Sequence, residues 1–226
     1  MTAGAALPER LEAVRRGIAD AAAEAGRSVD EISLIVVTKF HPPRLVRDLF
    51  ALGVTDFGEN RHQEAQAKAA ELADLDITWH FIGQLQSKKA RQVRAYARVI
   101  HSLDRESVVD ALASVESVVD CFVQLNLTDD PARGGVRDAD LETLTERVLA
   151  TSGLRLLGVM AVAPVGEEPR AAFARVRAAS ERVRAIAPAA RYISAGMSGD
   201  YREAVLEGAT HLRIGSAITG IRPTAG

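Results

Sequence analysis

A single cysteine, Cys121, leaves nothing to pair with inside the chain, so a disulfide framework is excluded. Its neighbours Val118, Val119, Phe122 and Val123 mark a buried thiol rather than a nucleophile or a ligand, and no metal site is expected. No stretch approaches the roughly 18 apolar residues that a membrane span needs. The start, Met1 to Ala6, has no basic segment followed by an apolar one, so no secretory leader is expected either. Charge is nearly balanced, with 28 Lys and Arg against 30 Asp and Glu and no long polybasic run, which argues against a nucleic-acid binder. With 47% apolar residues in a chain of 226, one substantial core is available, and a cytoplasmic location follows by default.

What is present is a regular alternation. An amphipathic helix from about Pro8 to Ala25, closed by Gly26, precedes eight short apolar strands. These are Leu34 to Thr38, Thr55 to Phe57, Thr78 to Ile82, Val99 to His101, Val118 to Leu127, Leu154 to Met160, Tyr192 to Ser194 and His211 to Ile214. Helical patterns lie between them, and eight strand-helix units in about 200 residues predict an α/β fold, a closed (β/α)8 TIM barrel with an extra N-terminal helix, over an open doubly wound sheet. No composition shift separates two domains, so residues 1–226 read as a single domain. The loop Asp129 to Gly135 is polar and glycine-rich and is a candidate flap.

In such a barrel, functional groups follow the strands on one face. Lys39 ends the run Leu34-Ile35-Val36-Val37-Thr38, where an ammonium held half out of water would have a lowered pKa and could attack an aldehyde or ketone. A lysine reaching into solvent at a strand end is the plainer alternative. The second strand delivers Gly58-Glu59-Asn60, the third Gly83-Gln84, and the fourth His101, Ser102 and Asp104.

The last two loops carry the sharper signal. Gly196-Met197-Ser198-Gly199-Asp200 leads into a helix that Ser198 could cap, and Gly215-Ser216 opens a further helical turn. Two such termini side by side make a phosphate cradle, although each loop alone could be an ordinary cap and turn. Arg213, set in a strand between apolar residues, needs an acceptor: a carboxylate or a ligand atom. A carbonyl-reactive lysine facing a phosphate cradle describes a phosphorylated aldehyde, and pyridoxal 5'-phosphate (PLP) meets both requirements.

The chain resembles the pyridoxal phosphate homeostasis proteins, the YggS/PROSC family, which are similar to the N-terminal domain of alanine racemase. The matching blocks are Val36-Val37-Thr38-Lys39, Phe57-Gly58-Glu59-Asn60 with Gln63-Glu64, Trp79 to Gln86, Ile100 to Asp104, Gly158-Val159-Met160, Ser194 to Ser198 and Arg213 to Ile218. The resemblance implies PLP held as an internal aldimine on Lys39. It also implies Asn60 near the cofactor, Met160 against the ring and Arg213 toward the pyridine nitrogen. Ser198, Gly215 and Ser216 would receive the phosphate, with Ser194 and Met197 close by. Departures from the family pattern are Ala195, Lys88, Arg61-His62 and Thr219.

An arginine at the pyridine nitrogen disfavours its protonation and weakens the ring as an electron sink. Racemases of this type take a second base from an additional C-terminal β-domain, and this sequence stops at Gly226, just past the eighth strand. The expectation is a non-catalytic PLP carrier or buffer in vitamin B6 homeostasis, a monomer that passes PLP to apo-enzymes. A racemase using Tyr192, Tyr201, His80 or His101 as base, and an aldolase-like use of Lys39, are the alternatives.

Overall fold

Strands that are apolar on both faces, each followed by an amphipathic helix, bury every face only if the sheet is wrapped in helices and has no open edge. The computed structural model, which describes residues 6–220 apart from 129 and 131, closes all eight strands into one parallel barrel in sequence order. The strands are β1 (Ser33–Val37), β2 (Asp56–Glu59), β3 (Thr78–Phe81), β4 (Val99–Leu103), β5 (Val119–Gln124), β6 (Leu154–Met160), β7 (Tyr192–Ser194) and β8 (His211–Ile214). The helices are α1 (Leu7–Glu24), α2 (Pro43–Ala51), α3 (His62–Glu71), α4 (Ala90–Arg94), α5 (Glu106–Ala111), α6 (Leu141–Ala150), α7 (Pro169–Ile186), α8 (Tyr201–Leu206) and α9 (Ser216–Thr219). Closure is made by β1, which pairs with β2 at Val36 and Phe57 and with β8 at Ile35 and Arg213. The expected barrel is therefore the one found, and the open sheet is not.

Period-two alternation divides the buried residues into two layers. Val36, Phe57, Trp79, Ile100, Val123 and Leu212 face outward into one large core with the helices. The barrel interior holds a separate cluster of Val99, Phe122 and Met160, flanked by Tyr192. Branched aliphatic residues usually fill such an interior. Here His80, His101, Ser194 and Arg213 are buried as well, with His101 stacked on the Phe122 ring at 4.6 Å. One glycine is required by this packing: at Gly158 (φ 152°) a Cβ would stand 1.8 Å from the Tyr192 carbonyl, where β6 shifts register against β5.

Helix α1 seals the barrel from outside. Its Arg10 donates to the Ile218 carbonyl of α9 at 2.6 Å, and Arg27, just past its end, donates to the carbonyls of Val205 and Ala209. Among the described residues no helix is long and apolar enough to cross a membrane. Cys121 is fully buried in the outer core, and burial pushes its thiol pKa up. In the expected flap, Asp129 and Pro131 lie outside the described residues. Its remainder is tied down by the Asn126 amide, which donates to the carbonyls of Asp130 and Arg133.

Candidate functional site

The end of β1 is fixed from three sides. Thr38 is buried, its N–H donates to the Gly58 carbonyl, and its hydroxyl donates to Glu59 Oε1 at 2.7 Å. Lys68, buried on α3, donates to the Thr38 carbonyl at 2.8 Å and to Glu59 Oε1 and Glu64 Oε1 at 2.7 Å each. Glu64 also accepts the Phe40 N–H at 2.5 Å. Burial raises the Glu59 carboxyl above its ordinary value, opposed by Lys68 and the Thr38 hydroxyl. The residues on either side of Lys39 are thus bolted to β2 and α3.

Phe40 has φ 69°, the only non-glycine residue among those described with a positive φ. That conformation costs a non-glycine residue about 1–3 kcal/mol, and the Glu64 carboxylate holds it. It turns the chain sharply after Lys39. Contrary to the expectation of an ammonium half withdrawn from water, the Lys39 side chain is exposed, with Nζ 6.0 Å from the Phe40 ring centroid. The Arg61 guanidinium lies over the same ring at 4.6 Å. The backbone at Lys39 is thus held rigidly while its amine faces solvent. Sequence reasoning missed Lys68, although its i,i+4 spacing from Glu64 on a helix that packs on the sheet was a usable sign.

Beside this point the β2 and β3 ends press together. A Cβ at Gly83 would stand 2.1 Å from the Asn60 carbonyl, so only glycine fits there. Asn60 is half-buried, and its Oδ1 is buried without a hydrogen-bond partner, as is the Ser102 hydroxyl. Such orphaned polar atoms at a strand end suit a ligand contact.

Across the mouth, the β7 and β8 loops meet as expected, but through different bonds. Ser198 does not cap α8, which begins only at Tyr201 and has no side-chain cap. Its hydroxyl instead accepts the Ala217 N–H of α9 at 3.2 Å, tying one loop to the start of the other's helix. The turn before α8 is closed by Asp200, which accepts the Met197 N–H at 2.6 Å; Met197 itself is exposed. Gly215 is the residue that opens α9, and Ser216 is exposed at its first position. N–H groups in a helix's first turn have no acceptor within the helix. A Cβ on Gly215 would lie 3.4 Å from the Val37 carbonyl, which puts this cradle beside the strand that carries Lys39.

Arg213 is 4% exposed and donates to Ser194 Oγ at 2.5 Å and to the Ala161 carbonyl at 2.8 Å. Both acceptors are neutral, and among the described residues no carboxylate pairs with it. Burial lowers its pKa to about 10. Of the two acceptors foreseen for this guanidinium, no carboxylate is bonded to it among the described residues, and Asp200 acts on it only through its charge. Met160 and Ser194, opposite each other on β6 and β7, are both buried beside it.

The candidate bases fall elsewhere. His101 sits inside β4 rather than at its end, and with His80 it is buried in the barrel interior. The Tyr201 hydroxyl lies where a side chain on Gly17 of α1 would be, on the outer side of the barrel.

A model of the alanine racemase N-terminal domain matches residues 10–223. Pyridoxal phosphate homeostasis proteins of Corynebacterium glutamicum and Mycobacterium tuberculosis are 40% and 38% identical to the chain. The first alignment covers 89% of this chain and 96% of the relative, the second 96% and 93%.

The chain belongs to the pyridoxal phosphate homeostasis protein family.

The Escherichia coli member is 33% identical over 96% of this chain. The structure of PipY from Synechococcus elongatus with PLP bound, 34% identical, superposes with a TM-score of 0.83 over 95% of this chain and all of its own. Alanine racemase from Corynebacterium glutamicum, 16% identical with a TM-score of 0.68, shares the fold. This chain covers 62% of that enzyme's length.

Proposed function

We propose that the protein binds PLP at the carboxyl end of the barrel and holds it covalently on Lys39, as a cytoplasmic carrier and buffer in vitamin B6 homeostasis. The observation that carries this reading is Arg213: a buried cation with only neutral protein acceptors beside the strand that bears an exposed lysine. Leaving such a group without a further acceptor is costly, and a ring nitrogen with a free lone pair answers it. PLP, when bound, supplies an aldehyde that condenses with primary amines and a ring that can delocalise charge. The relatives' names and the PLP-bound PipY structure support the same ligand.

In this reading the chain's residues divide the ligand between them. Ser198, Gly215 and Ser216 receive the phosphate through hydroxyls and first-turn N–H groups, with Met197 and Ser194 alongside. Met160 supplies the apolar floor, and the unpartnered Asn60 Oδ1 meets a polar edge of the ligand. Lys39 is placed by the Lys68, Glu59 and Glu64 cluster.

Holding rather than turnover is favoured by the same geometry. Arg213 only donates, so it keeps a facing ring nitrogen unprotonated. His80 and His101, two candidate bases, are occupied in the barrel interior. The reading extends to release of PLP to apo-enzymes by a monomer. Purified protein is titrated with PLP, treated with borohydride and mapped by mass spectrometry. A stable adduct on Lys39, lost in Lys39→Ala, and transfer of PLP to an apo-enzyme without turnover of single L-amino acids are expected. An adduct on another lysine, or none, would reject the covalent assignment.

A further inference from the structure

The polar side chains inside the barrel form one continuous line. Arg213 donates to Ser194 Oγ at 2.5 Å, Ser194 Oγ is 2.8 Å from His101 Nδ1, and His101 Nε2 is 2.9 Å from His80 Nδ1. His80 Nε2 is 3.0 Å from Asp56 Oδ1. The line crosses five strands, from the guanidinium on β8 to the carboxylate at the start of β2. Asp56 is one-third exposed and borders a cavity of about 390 Å³ at the amino-terminal end of the barrel, beside Arg15 and Thr55.

The ends of this line fix its direction. Arginine can only donate and an ionised aspartate can only accept. Read from the guanidinium to the carboxylate, the Ser194 hydroxyl donates to His101 Nδ1, His101 Nε2–H donates to His80 Nδ1, and His80 Nε2–H donates to Asp56, so that each of the five groups has a partner. Burial above all holds His101 well below its ordinary pKa, in keeping with a neutral imidazole. Burial acts to raise the Asp56 carboxyl, but hydrogen bonds from His80 and Thr55 keep it low and ionised. A one-way chain of hydrogen bonds also polarises its members, so Ser194 becomes a better acceptor for Arg213 than an isolated hydroxyl.

We infer that Asp56, His80, His101 and Ser194 are positioning residues for PLP binding, a relay that orients Arg213 toward the ligand from the far side of the barrel. This rests on PLP as the ligand and adds Asp56, His80 and His101, which lie behind Ser194 and Arg213 in the line. A fully apolar interior would pack as well, but would leave the Arg213 guanidinium held by the Ala161 carbonyl alone.

Two substitutions at His101 separate the relay from packing. His101→Gln offers an amide oxygen to Ser194 and an N–H to His80 at a spacing close to the imidazole's, whereas His101→Leu fills the space without either. The full chain is titrated with PLP by absorbance, and unfolding of the ligand-free protein is followed separately. His101→Leu is expected to weaken PLP binding about tenfold and to shift the bound-PLP absorbance band, while His101→Gln stays within about twofold of the parent; tenfold corresponds to about 1.4 kcal/mol, one hydrogen bond's worth. If His101→Leu does not fold, Asp56→Ala cuts the same line at its one-third-exposed far end, away from the ligand, and carries the same expectation. The inference is overturned if the interrupted variant binds PLP with the parent's affinity and band, or if His101→Gln is as weak as His101→Leu. Failure of the unaltered protein to bind PLP would instead reject the ligand assignment.

Discussion

Lys68→Met removes a buried cation that two carboxylates and a backbone carbonyl share. Glu64 is about one-quarter exposed and can turn to water, but Glu59 is 1% exposed and cannot. Without Lys68, Glu59 folds by taking up a proton. From its ordinary value of 4.5, doing so at pH 7 costs at most about 3.4 kcal/mol more than in the parent, 2.5 pH units at 1.36 each, since burial already raises this carboxyl there. The lost bond to the Thr38 carbonyl adds about 1 kcal/mol. The variant is therefore expected to lose up to about 4 kcal/mol at pH 7, a Tm lower by up to about 8–16 °C for a chain of this size. The sign with pH follows from linkage. A carboxyl whose folded pKa lies above its unfolded one contributes stability below the unfolded value, and that contribution is lost as pH rises through the folded value. The difference between parent and variant should thus shrink by about 1.4 kcal/mol per pH unit on acidification, to about 1 kcal/mol near pH 4.5. Urea unfolding of both proteins across pH 4.5 to 8 measures this. An equal loss at both ends would show that Lys68 acts through packing, and a loss under about 1 kcal/mol at pH 7 would refute the argument. Adding Glu59→Gln should abolish the pH dependence.

Three further outcomes are expected. Gly83→Ala forces a methyl to 2.1 Å from the Asn60 carbonyl and should cost about 1–3 kcal/mol in denaturant unfolding, with weaker PLP binding because the Asn60 loop must move. Ser198→Ala leaves the Ala217 N–H without its acceptor; a loss of about 1 kcal/mol in stability and a weaker competition of inorganic phosphate with PLP are the readouts. Arg213→Leu removes a charged donor and should raise the Kd for PLP about 10- to 100-fold by absorbance titration, the worth of one charge-assisted hydrogen bond.

Much of this protein could be read from its sequence because the signals were local. Strand runs such as Leu154 to Met160 and Tyr192 to Ser194 have the observed bounds, since short apolar runs and a following helix define them without help from elsewhere. Lys39, Arg213 and the pairing of the Ser198 and Gly215 loops were also visible, because a barrel puts whatever follows each strand on one face. Boundaries slipped where tertiary contacts set them. β4 continues to Leu103, two residues past the expected end at His101, so His101 lies within the strand and is buried between β3 and β5.

Three things required the tertiary structure, and the reason is common to them. The exposure of Lys39 depends on the turn at Phe40, which Glu64 holds from another element. The role of Lys68 depends on Glu59 and the Thr38 carbonyl, 9 and 30 residues away. The line from Asp56 to Arg213 joins five strands, and its members match only as donors and acceptors once the barrel closes. The sequence alone determined which residues were chemically able to act and on which strand each stands. Which of them met, and whether Arg213 found a carboxylate or was left for a ligand, was decided by closure, because hydrogen bonds and buried charges are settled by distances of a few ångströms that chain order does not specify.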